Sequence, residues 1–415
     1  MRLKQVWMLN HYAQEPGGAG GTRHFHLAEH LPAFGWQATV IAASVELNTG
    51  RQRLTPDEAY RHQTIAGVPF LWIRTPEYRG SGGGRAINML AYTVRALLPR
   101  YTRELSRPDA IIGSSVHPFA ALAGAILARR HRVPFLFEVR DLWPQTLIDI
   151  GRLRERSPMT WILRCLERWL YRRAARIVVL LPRAVDYIAP LGIAENRVVW
   201  IPNGVDLALF PTIAPRSRSA GDPFVLMYFG AHGQANGLDN ILQAMKRVAE
   251  RTRPGTIHLR MIGDGPLKPG LMKLAEQLGL SSVFFEPPVP KNAIPSLALQ
   301  ADAFIIAVLD LPRLYRYGIS MNKIFDYLAA ARPIIIASGA ANNPVAESGS
   351  GITVPPNKPD ALAQAILKIA QASEEERSRL GMAGRRYVED HHGFGCLAER
   401  LASTLDAAVA EYLLK

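Results

Sequence analysis

The feature that most constrains the fold of this chain is an alternation of short apolar runs with helical patterns along both halves. The apolar runs of the first half are residues 6–9, 39–42, 109–113, 135–139, 177–180 and 198–201. Those of the second half are residues 224–229, 257–262, 283–285, 304–308 and 334–337. The first helical pattern covers residues 22–34, and Gly35 ends it. This alternation is typical of parallel α/β sheets.

The length of the chain predicts more than one domain. A chain of 415 residues is long for a single core. Residues 211–223 are rich in Pro, Ser and Arg and are typical of a linker. We therefore predict an α/β protein of two doubly wound, Rossmann-like domains that face each other across a cleft. The predicted domains are residues 1–206 and 207–384, with ligands at the carboxyl ends of the strands.

Positive charge is concentrated in the first half. Residues 1–210 hold 27 Lys and Arg against 16 Asp and Glu, a net charge of +11, whereas the remainder holds 22 against 19, a net charge of +3. Such asymmetry indicates an anionic partner, which is a nucleic acid, an anionic membrane or an anionic substrate. Two cysteines provide no disulfide framework, and residues 1–9 lack the long apolar core of a signal peptide. Both observations favour a cytoplasmic protein, and no stretch is predicted to cross a membrane.

Residues 317–337 combine a polar loop, a helix and a buried strand. Ser320 suits the N-cap of a helix, and the free N–H groups at the start of that helix would face an anion, with Lys323 adding a positive charge. One helical turn further on, Asp326 could accept hydrogen bonds from sugar hydroxyls. This pattern suits a nucleotide diphosphate whose ribose lies beyond the anion site. An ordinary αβ unit with a solvated Asp326 is the alternative.

The same segment resembles the donor-binding stretch of retaining glycosyltransferases of family 4, which have the GT-B fold. It is similar to the bacterial branch that includes the N-acetyl-L-fucosamine transferases of O-antigen synthesis. Asp326 matches the second of two family glutamates, the one that binds ribose in relatives, whereas Gly318 stands in place of the first. Met321 replaces a proline. The order of the motifs agrees from about residue 17 to residue 351. In such relatives the last helix, here within residues 385–415, packs on the first domain.

A glycine-rich loop at residues 16–22 follows the first predicted strand. A nicotinamide-binding loop would need a third glycine where Arg23 stands, so a dehydrogenase is disfavoured. A tight turn is one alternative. In the family, a loop at this place approaches the donor phosphate and sugar, which implies contacts at Gly20 and Gly21.

Two further stretches lie at predicted strand ends in the first domain. His117 follows residues 109–113, and a lone histidine at such a place is more often structural. The resemblance implies that it contacts the transferred sugar. Glu138 and Asp141 follow the next strand and could be buried salt-bridge partners of Arg140 or another arginine. The family pattern implies instead that Asp141 meets the acceptor hydroxyl.

The first loop of the second domain contains Gly230, Gly233 and Gly237, which would admit a diphosphate against the next helix. Many relatives carry an Arg and a Lys in this loop, but here the loop offers residues 232, 234 and 236, which are His, Gln and Asn. This departure places the charge on Lys323, with Arg316 as a further candidate.

The predicted site residues form two sets. The candidate catalytic residues are His117, Asp141 and Lys323. The candidate donor-binding residues are Gly20, Gly21, Asn203, Gly230, Gly233, Gly237, Val289, Arg316, Ser320, Asn322, Lys323 and Asp326. No metal ligand is predicted, and the resemblance implies neither a metal nor another cofactor.

A predicted helix over residues 157–174 mixes tryptophans with arginines. Trp161 and Trp169 are predicted to share an apolar stripe, with the four arginines 164, 168, 172 and 173 outside it. The helix is either a core helix with a solvated charged face or a helix that docks on anionic lipid. A nucleic-acid partner is disfavoured because no nucleic-acid motif accompanies the arginines.

The resemblance implies a cytoplasmic glycosyltransferase, peripheral on the inner face of the cytoplasmic membrane. It would move a sugar, with retention, from a nucleotide diphosphate donor to a polyisoprenyl-diphosphate-linked saccharide in bacterial surface polysaccharide synthesis. UDP is the expected nucleotide, and other polysaccharide-assembly enzymes are possible partners. Two alternatives stay open: a non-transferase nucleotide-sugar enzyme such as an epimerase, and a non-catalytic membrane-associated scaffold.

Overall fold

A computed structural model describes residues 2–17, 21–47, 50–78, 80, 82–211, 219 and 221–414. Gly20 and most of the predicted linker, residues 212–218 and 220, lie outside the described residues.

The strands follow the apolar runs closely. In chain order they are β1 (Lys4–Leu9), β2 (Trp36–Ala43), β3 (Tyr60–Ile65), β4 (Val68–Ile73), β5 (Ala110–Ser114), β6 (Phe135–Val139), β7 (Arg176–Val179), β8 (Val198–Trp200), β9 (Phe224–Phe229), β10 (Ile257–Ile262), β11 (Val283–Glu286), β12 (Ala303–Ala307), β13 (Ile334–Ala337) and β14 (Gly351–Val354). Strands β3, β4 and β14 were not predicted.

The helices fill the intervals between the strands. In chain order they are α1 (Arg23–His30), α2 (Gly83–Ala96), α3 (Pro99–Thr102), α4 (Pro118–His131), α5 (Gln145–Asp149), α6 (Pro158–Arg173), α7 (Val185–Ile188), α8 (Leu238–Ala249), α9 (Lys268–Gln277), α10 (Ile294–Ala298), α11 (Pro312–Tyr315), α12 (Asn322–Ala329), α13 (Pro344–Ser348), α14 (Pro359–Gln371), α15 (Glu374–His391) and α16 (Phe394–Leu413).

The chain divides into two compact units, residues 1–202 with 394–415, and residues 203–393. The first unit contains an eight-stranded sheet in the order β3-β4-β2-β1-β5-β6-β7-β8, parallel except for the pairing of β3 with β4. Helices α2 and α6 both pack on α4, and α16 packs on α1. The α16 side chains Leu397, Leu401 and Leu405 are buried in the same core as Val6 and Val40 of the sheet.

The second unit contains a six-stranded parallel sheet in the order β11-β10-β9-β12-β13-β14. Its central strands β9, β12 and β13 are buried on both faces, in two clusters that α8 and α14 cover on one side and α12 on the other. The order reverses beside β9, the first strand, so the loops after β9 and β12 diverge at the carboxyl ends of neighbouring strands. This switch point is the usual ligand position in a doubly wound sheet.

The predicted class, two α/β domains with parallel sheets, is confirmed. The boundary between the compact units lies between Pro202 and Asn203, whereas the predicted boundary lay between residues 206 and 207. Helix α15 belongs to the second unit, and only the segment from Phe394 onwards joins the first.

Candidate functional site

The predicted anion site of the second unit is centred on Lys323, in the first turn of α12. Its Nζ donates hydrogen bonds to the hydroxyl of Tyr228 and to Oδ1 of Asn236, each at 2.7 Å. The ammonium also lies 4.6 Å from the centre of the Tyr228 ring. Tyr228 is the last residue but one of β9, and Asn236 lies in the loop that follows, so the fold brings α12 to the glycine-rich loop.

The charge of Lys323 has no carboxylate partner in the described parts of the chain. Within the residues that the structure describes, neutral oxygens hold the ammonium and no acidic side chain forms an ion pair with it. Burial lowers the pKa of Lys323 to about 7. A desolvated cation without an anionic partner is stabilised by an incoming anion. This position is therefore suited to a phosphate group.

The glycines of the loop have distinct structural roles. Gly230 adopts a φ of +149°, and a Cβ there would lie 3.1 Å from Cε of Lys323 and 3.2 Å from its Nζ. Gly237 adopts a φ of +50° and precedes α8. A Cβ at Gly233 would meet no atom closer than 3.8 Å. Gly230 thus leaves space for the side chain of Lys323, whereas the sequence analysis had assigned this space to a diphosphate.

Asp326 is buried one turn after Lys323 and is already paired. Both of its carboxylate oxygens accept hydrogen bonds from Lys291 Nζ, at 2.6 and 2.5 Å. The side chain of Asp326 is 5% exposed, and that of Lys291 is 23% exposed. The alternative of a solvated Asp326 is therefore wrong. A ribose bound here would have to share the carboxylate with Lys291.

The predicted N-cap role of Ser320 is wrong. Met321 is the N-cap of α12 and makes no side-chain capping bond. The hydroxyl of Ser320 instead accepts a hydrogen bond from the backbone N–H of Asn203 at 2.9 Å, and the Ser320 carbonyl accepts one from Asn203 Nδ2 at 2.7 Å. Asn203 is buried and thereby fixes the loop that leads into α12.

Other predicted donor-binding residues lie around this centre at more exposed positions. Asn322 is exposed in the first turn of α12. Arg316 is exposed and stacks on the ring of Tyr317, with 4.6 Å between the guanidinium carbon and the ring centre. Val289 is half-buried against the core that contains α12.

His232 is a buried residue of the glycine-rich loop that the sequence analysis noted only as a departure from the family. Its ring stacks on Tyr228, with 5.8 Å between the centroids. Neither ring nitrogen has a hydrogen-bond partner among the described residues. Burial lowers the pKa of His232 to about 4, so the ring is neutral at pH 7.

In the first unit, Glu138 at the end of β6 is a structural ion-pair partner. Its Oε1 accepts a hydrogen bond from Arg23 Nε at 2.9 Å, and its Oε2 lies 2.7 Å from His24 Nε2. Burial favours the neutral acid, but the charges of His24 and Arg23 outweigh it and hold the pKa of Glu138 well below its usual range. The salt-bridge interpretation is confirmed for Glu138, with Arg23 in place of Arg140. Arg23 also donates to the carbonyl of Ile201 at 2.9 Å.

His117 is fully buried at the carboxyl end of β5. Its Nε2 lies 2.8 Å from Nδ1 of His11, which follows the neighbouring strand β1. His11 Nε2 lies 2.6 Å from Oδ1 of Asn88 on α2. Burial lowers the pKa of both histidines, that of His11 to about 3. The lone histidine of the sequence is therefore one end of a buried polar chain.

The other predicted residues of the first unit occupy simpler positions. Asp141 is exposed beyond the end of β6. Gly21 adopts a φ of +70°, and a Cβ there would approach the Tyr12 carbonyl oxygen to 2.7 Å. A side chain at Gly21 would therefore distort the loop.

Sequence reasoning missed His11, Asn88 and Lys291. His11 lies directly beyond a predicted strand, so its position at the ligand edge of the sheet could have been anticipated. Asn88 and Lys291 had no comparable signal, because their contacts join distant parts of the chain.

The face of α6 differs from the prediction. Its buried residues include Leu163, Glu167 and Leu170. Trp161 is 70% exposed, and Trp169 is 37% exposed. Arg168, Arg172 and Arg173 are also exposed on α6, whereas Arg164 is half-exposed. The guanidinium carbon of Arg173 is 5.5 Å from the ring centre of Trp169.

Helix α2 exposes a second apolar row that the sequence analysis did not identify. Ile87, Leu90 and Val94 are 60%, 50% and 58% exposed. Since α2 and α6 both pack on α4, their exposed apolar side chains lie on the same side of the first sheet. No helix in the described parts of the chain has the length and apolar character needed to cross a bilayer. Nor do three or more metal-ligating side chains cluster there.

Two family models match the chain. Residues 18–204 match the Glycosyl transferase 4-like domain, and residues 223–372 match Glycosyl transferases group 1. The matched ranges correspond to the first and second units.

Two curated relatives are bacterial proteins. The "Putative colanic acid biosynthesis glycosyl transferase WcaI" of Escherichia coli strain K12 is 22% identical over 60% of this chain, and the match spans 63% of that protein's length. The "Probable glycosyltransferase WbjE" of Pseudomonas aeruginosa is 25% identical over 75% of this chain and 78% of its own.

Solved structures share the fold over nearly the whole chain. Sucrose-phosphate synthase from Thermosynechococcus elongatus aligns with a TM-score of 0.73 at 18% identity, covering 96% of this chain and 98% of that one. Anabaena Alr3699/HepE in complex with UDP-glucose aligns with a TM-score of 0.66 at 15% identity, covering 97% and 99%. These likenesses show the GT-B fold.

Proposed function

For a chain built of two glycosyltransferase family domains, we propose a retaining transferase that takes a sugar from UDP and attaches it to a hydroxyl of a polyisoprenyl-diphosphate-linked saccharide. Its role would be bacterial surface polysaccharide synthesis at the cytoplasmic membrane. The observation that carries the nucleotide part is Lys323, a desolvated cation that neutral oxygens, and no carboxylate of the described residues, hold. A UDP-glucose complex of HepE, a protein of the same fold, supports the choice of nucleotide.

The reaction develops negative charge on the leaving diphosphate and positive charge on the sugar. Lys323 and the free amides at the start of α12 would stabilise that diphosphate. His117 would position the sugar, Asp141 the acceptor hydroxyl, and Asp326 the ribose. We further propose that the leaving phosphate takes the acceptor proton and that no metal ion is required, since the charge is carried by Lys323 and backbone N–H groups.

The lipid-linked acceptor is supported by the surface of the first unit. A polyisoprenyl tail stays in the bilayer, so the acceptor domain has to reach the membrane. An interfacial helix is held by apolar side chains that enter the lipid and by basic side chains that bind anionic headgroups. The first unit offers both, in the exposed tryptophans and arginines of α6 and the apolar row of α2.

A screen of nucleotide sugars tests the proposal. Donor binding to the folded state should raise the melting temperature, and transfer from the stabilising donor to a lipid-linked acceptor in the presence of EDTA should follow. Donor binding without hydrolysis or transfer would favour the scaffold, and conversion of the sugar without transfer would favour an epimerase. Loss of activity in EDTA would overturn the metal-independent mechanism.

The affinity for UDP should depend on pH through Lys323. Without a ligand, Lys323 has a pKa of about 7. A bound diphosphate favours the charged form of the side chain, so the pKa of Lys323 is higher in the complex. Binding therefore takes up a proton above pH 7, and the affinity should fall between pH 7 and 9 by at most about tenfold per pH unit. Calorimetry in buffers of different ionisation enthalpy measures both the affinity for UDP and the number of protons taken up on binding. Lys323→Arg is the control, since arginine stays charged; a flat profile in the wild type would contradict the assignment.

Asp326→Asn should weaken UDP binding by about 1–3 kcal/mol, because charge-assisted hydrogen bonds to ribose are lost. The same substitution also removes the ion pair with Lys291. Lys291→Gln separates the two effects, since it breaks the pair and keeps the carboxylate. Calorimetry with UDP should show a loss for Asp326→Asn and retained affinity for Lys291→Gln. Equal losses in both variants would mean that Asp326 only anchors the loop of Lys291.

A further inference from the structure

The buried ring of His117 has one nitrogen that no described residue pairs with. Nδ1 of His117 makes no hydrogen bond within the described ranges of the chain, and the residue is fully buried. His117 is the N-cap residue of α4, yet its side chain does not cap the helix. Since buried polar atoms are nearly always paired, this nitrogen calls for an explanation.

The orientation of Asn88 determines the rest of the chain of hydrogen bonds. Its Nδ2 lies 2.6 Å from the Pro76 carbonyl oxygen and 2.9 Å from the Thr75 hydroxyl. A carbonyl oxygen only accepts hydrogen bonds, so the amide nitrogen has to face Pro76. The Oδ1 atom of Asn88 therefore faces His11.

The two histidines then have defined tautomers. Oδ1 of Asn88 accepts, so His11 Nε2 carries a proton and donates to it at 2.6 Å. Burial keeps His11 neutral by lowering its pKa, which leaves Nδ1 of His11 as an acceptor. His117 Nε2, at 2.8 Å, has to donate to that acceptor. A neutral His117 consequently presents an unprotonated Nδ1.

We propose that Asn88 and His11 are positioning residues that hold His117 in the tautomer whose Nδ1 accepts a hydrogen bond, and that this atom selects a donor sugar with a hydroxyl at the matching position. The proposal rests on the proposed function, because it takes the sugar to lie beside His117. A sugar hydroxyl can donate to Nδ1, whereas a deoxy sugar leaves the buried acceptor unpaired. Sites built around such a hydrogen bond discriminate against the analogue that lacks it.

The tautomer can be measured without any substrate. In protein labelled with ¹⁵N-histidine, ring correlation spectra report which nitrogen carries the proton, and the signals of His117 are those missing from His117→Gln. We expect an Nε2–H, Nδ1-free ring in the wild type. An Nδ1–H ring would overturn the proposal.

Matched variants test the role of the chain. His11→Gln keeps an N–H for Asn88 and a carbonyl for His117 on neighbouring atoms, whereas His11→Leu keeps neither. Asn88→Leu removes the acceptor that orients His11. Thr93→Val is the stability control. Thr93 also lies on α2, and its hydroxyl donates a hydrogen bond to the carbonyl oxygen of Met89, apart from the hydrogen bonds that link Asn88, His11 and His117. We expect the Nδ1–H population of His117 to rise in His11→Leu and Asn88→Leu, where its tautomer is no longer fixed, and to stay absent in His11→Gln and Thr93→Val.

The closing measurement compares UDP-glucose, UDP-galactose and UDP-N-acetylglucosamine with their single-deoxy analogues. For the donor that the wild type uses, one analogue should lose about 10- to 100-fold in kcat/KM. The ratio of kcat/KM for the parent donor to kcat/KM for that analogue should fall towards one in His11→Leu and should persist in His11→Gln and Thr93→Val. Unchanged discrimination in His11→Leu and Asn88→Leu would overturn the proposal. If the protein uses none of the three parent donors, the proposed function fails for these donors, and the sugar-selecting role of His117 fails with it. The ring spectra would still show whether Asn88 and His11 fix the tautomer of His117.

Discussion

Lys323→Ala should lower turnover by roughly 10²–10³, the size expected for one lost charge contact in the transition state. The structure sharpens this expectation, because the loop beneath the ammonium contributes only the neutral oxygens of Tyr228 and Asn236. No neighbouring lysine or arginine of residues 230–237 could take over the charge. Initial rates with saturating donor and acceptor measure the effect.

Two controls separate charge from packing at this position. Lys323→Met keeps a long side chain over Gly230 and removes the ammonium, with its charge and its N–H donors, so it should be as slow as the alanine variant. Lys246→Ala removes an exposed lysine of α8 and should leave turnover unchanged. Wild-type turnover in Lys323→Met would show that the charge of Lys323 does not support the reaction.

Replacing the arginines of α6 should release the protein from anionic vesicles. The four substitutions are Arg164→Gln, Arg168→Gln, Arg172→Gln and Arg173→Gln. Each basic side chain near an anionic surface contributes about 1 kcal/mol, so together they should lower binding by roughly 10²–10³. Salt should also release the wild type, because screening shortens the reach of these charges. Vesicle flotation measures both effects.

The matched control removes the same number of exposed arginines from the second unit. Its substitutions are Arg247→Gln, Arg251→Gln, Arg253→Gln and Arg379→Gln, and it should still float with the vesicles. Activity on a short, water-soluble acceptor should persist in both variants. Flotation that neither salt nor the α6 substitutions affect would leave these arginines as a solvated helix face.

Sequence patterns predicted the central strands well because those strands are buried on both faces. Continuous apolar runs identified β6 at its observed bounds and β1 to within two residues at its start. Strand β3 (Tyr60–Ile65) was missed because it is half-exposed and reads Tyr-Arg-His-Gln-Thr-Ile, which alternates weakly. The same reason does not apply to β4 (Val68–Ile73), which is a buried apolar run and could have been predicted. Periodicity cannot identify a strand whose two faces are both polar.

The surroundings of the candidate site residues were predicted in part, and the errors in their contacts have one physical origin. Lys323 and His117 lie at strand and helix ends, where local pattern places ligand-binding residues. Ser320 was misassigned because a distant residue, Asn203, uses its hydroxyl. The pairing of Asp326 with Lys291 likewise depends on tertiary contacts that leave no mark on local sequence.

The position of α16 has a consequence for how the protein is made. Its side chains Leu397, Leu401 and Leu405 complete the core of the first unit, although the whole second unit precedes them in the chain. During synthesis the second unit can therefore close its own core before the first one can. Until α16 leaves the ribosome, the apolar surface of α1 that it covers stays exposed to solvent. The nascent first unit is thus the part of this protein most in need of a chaperone.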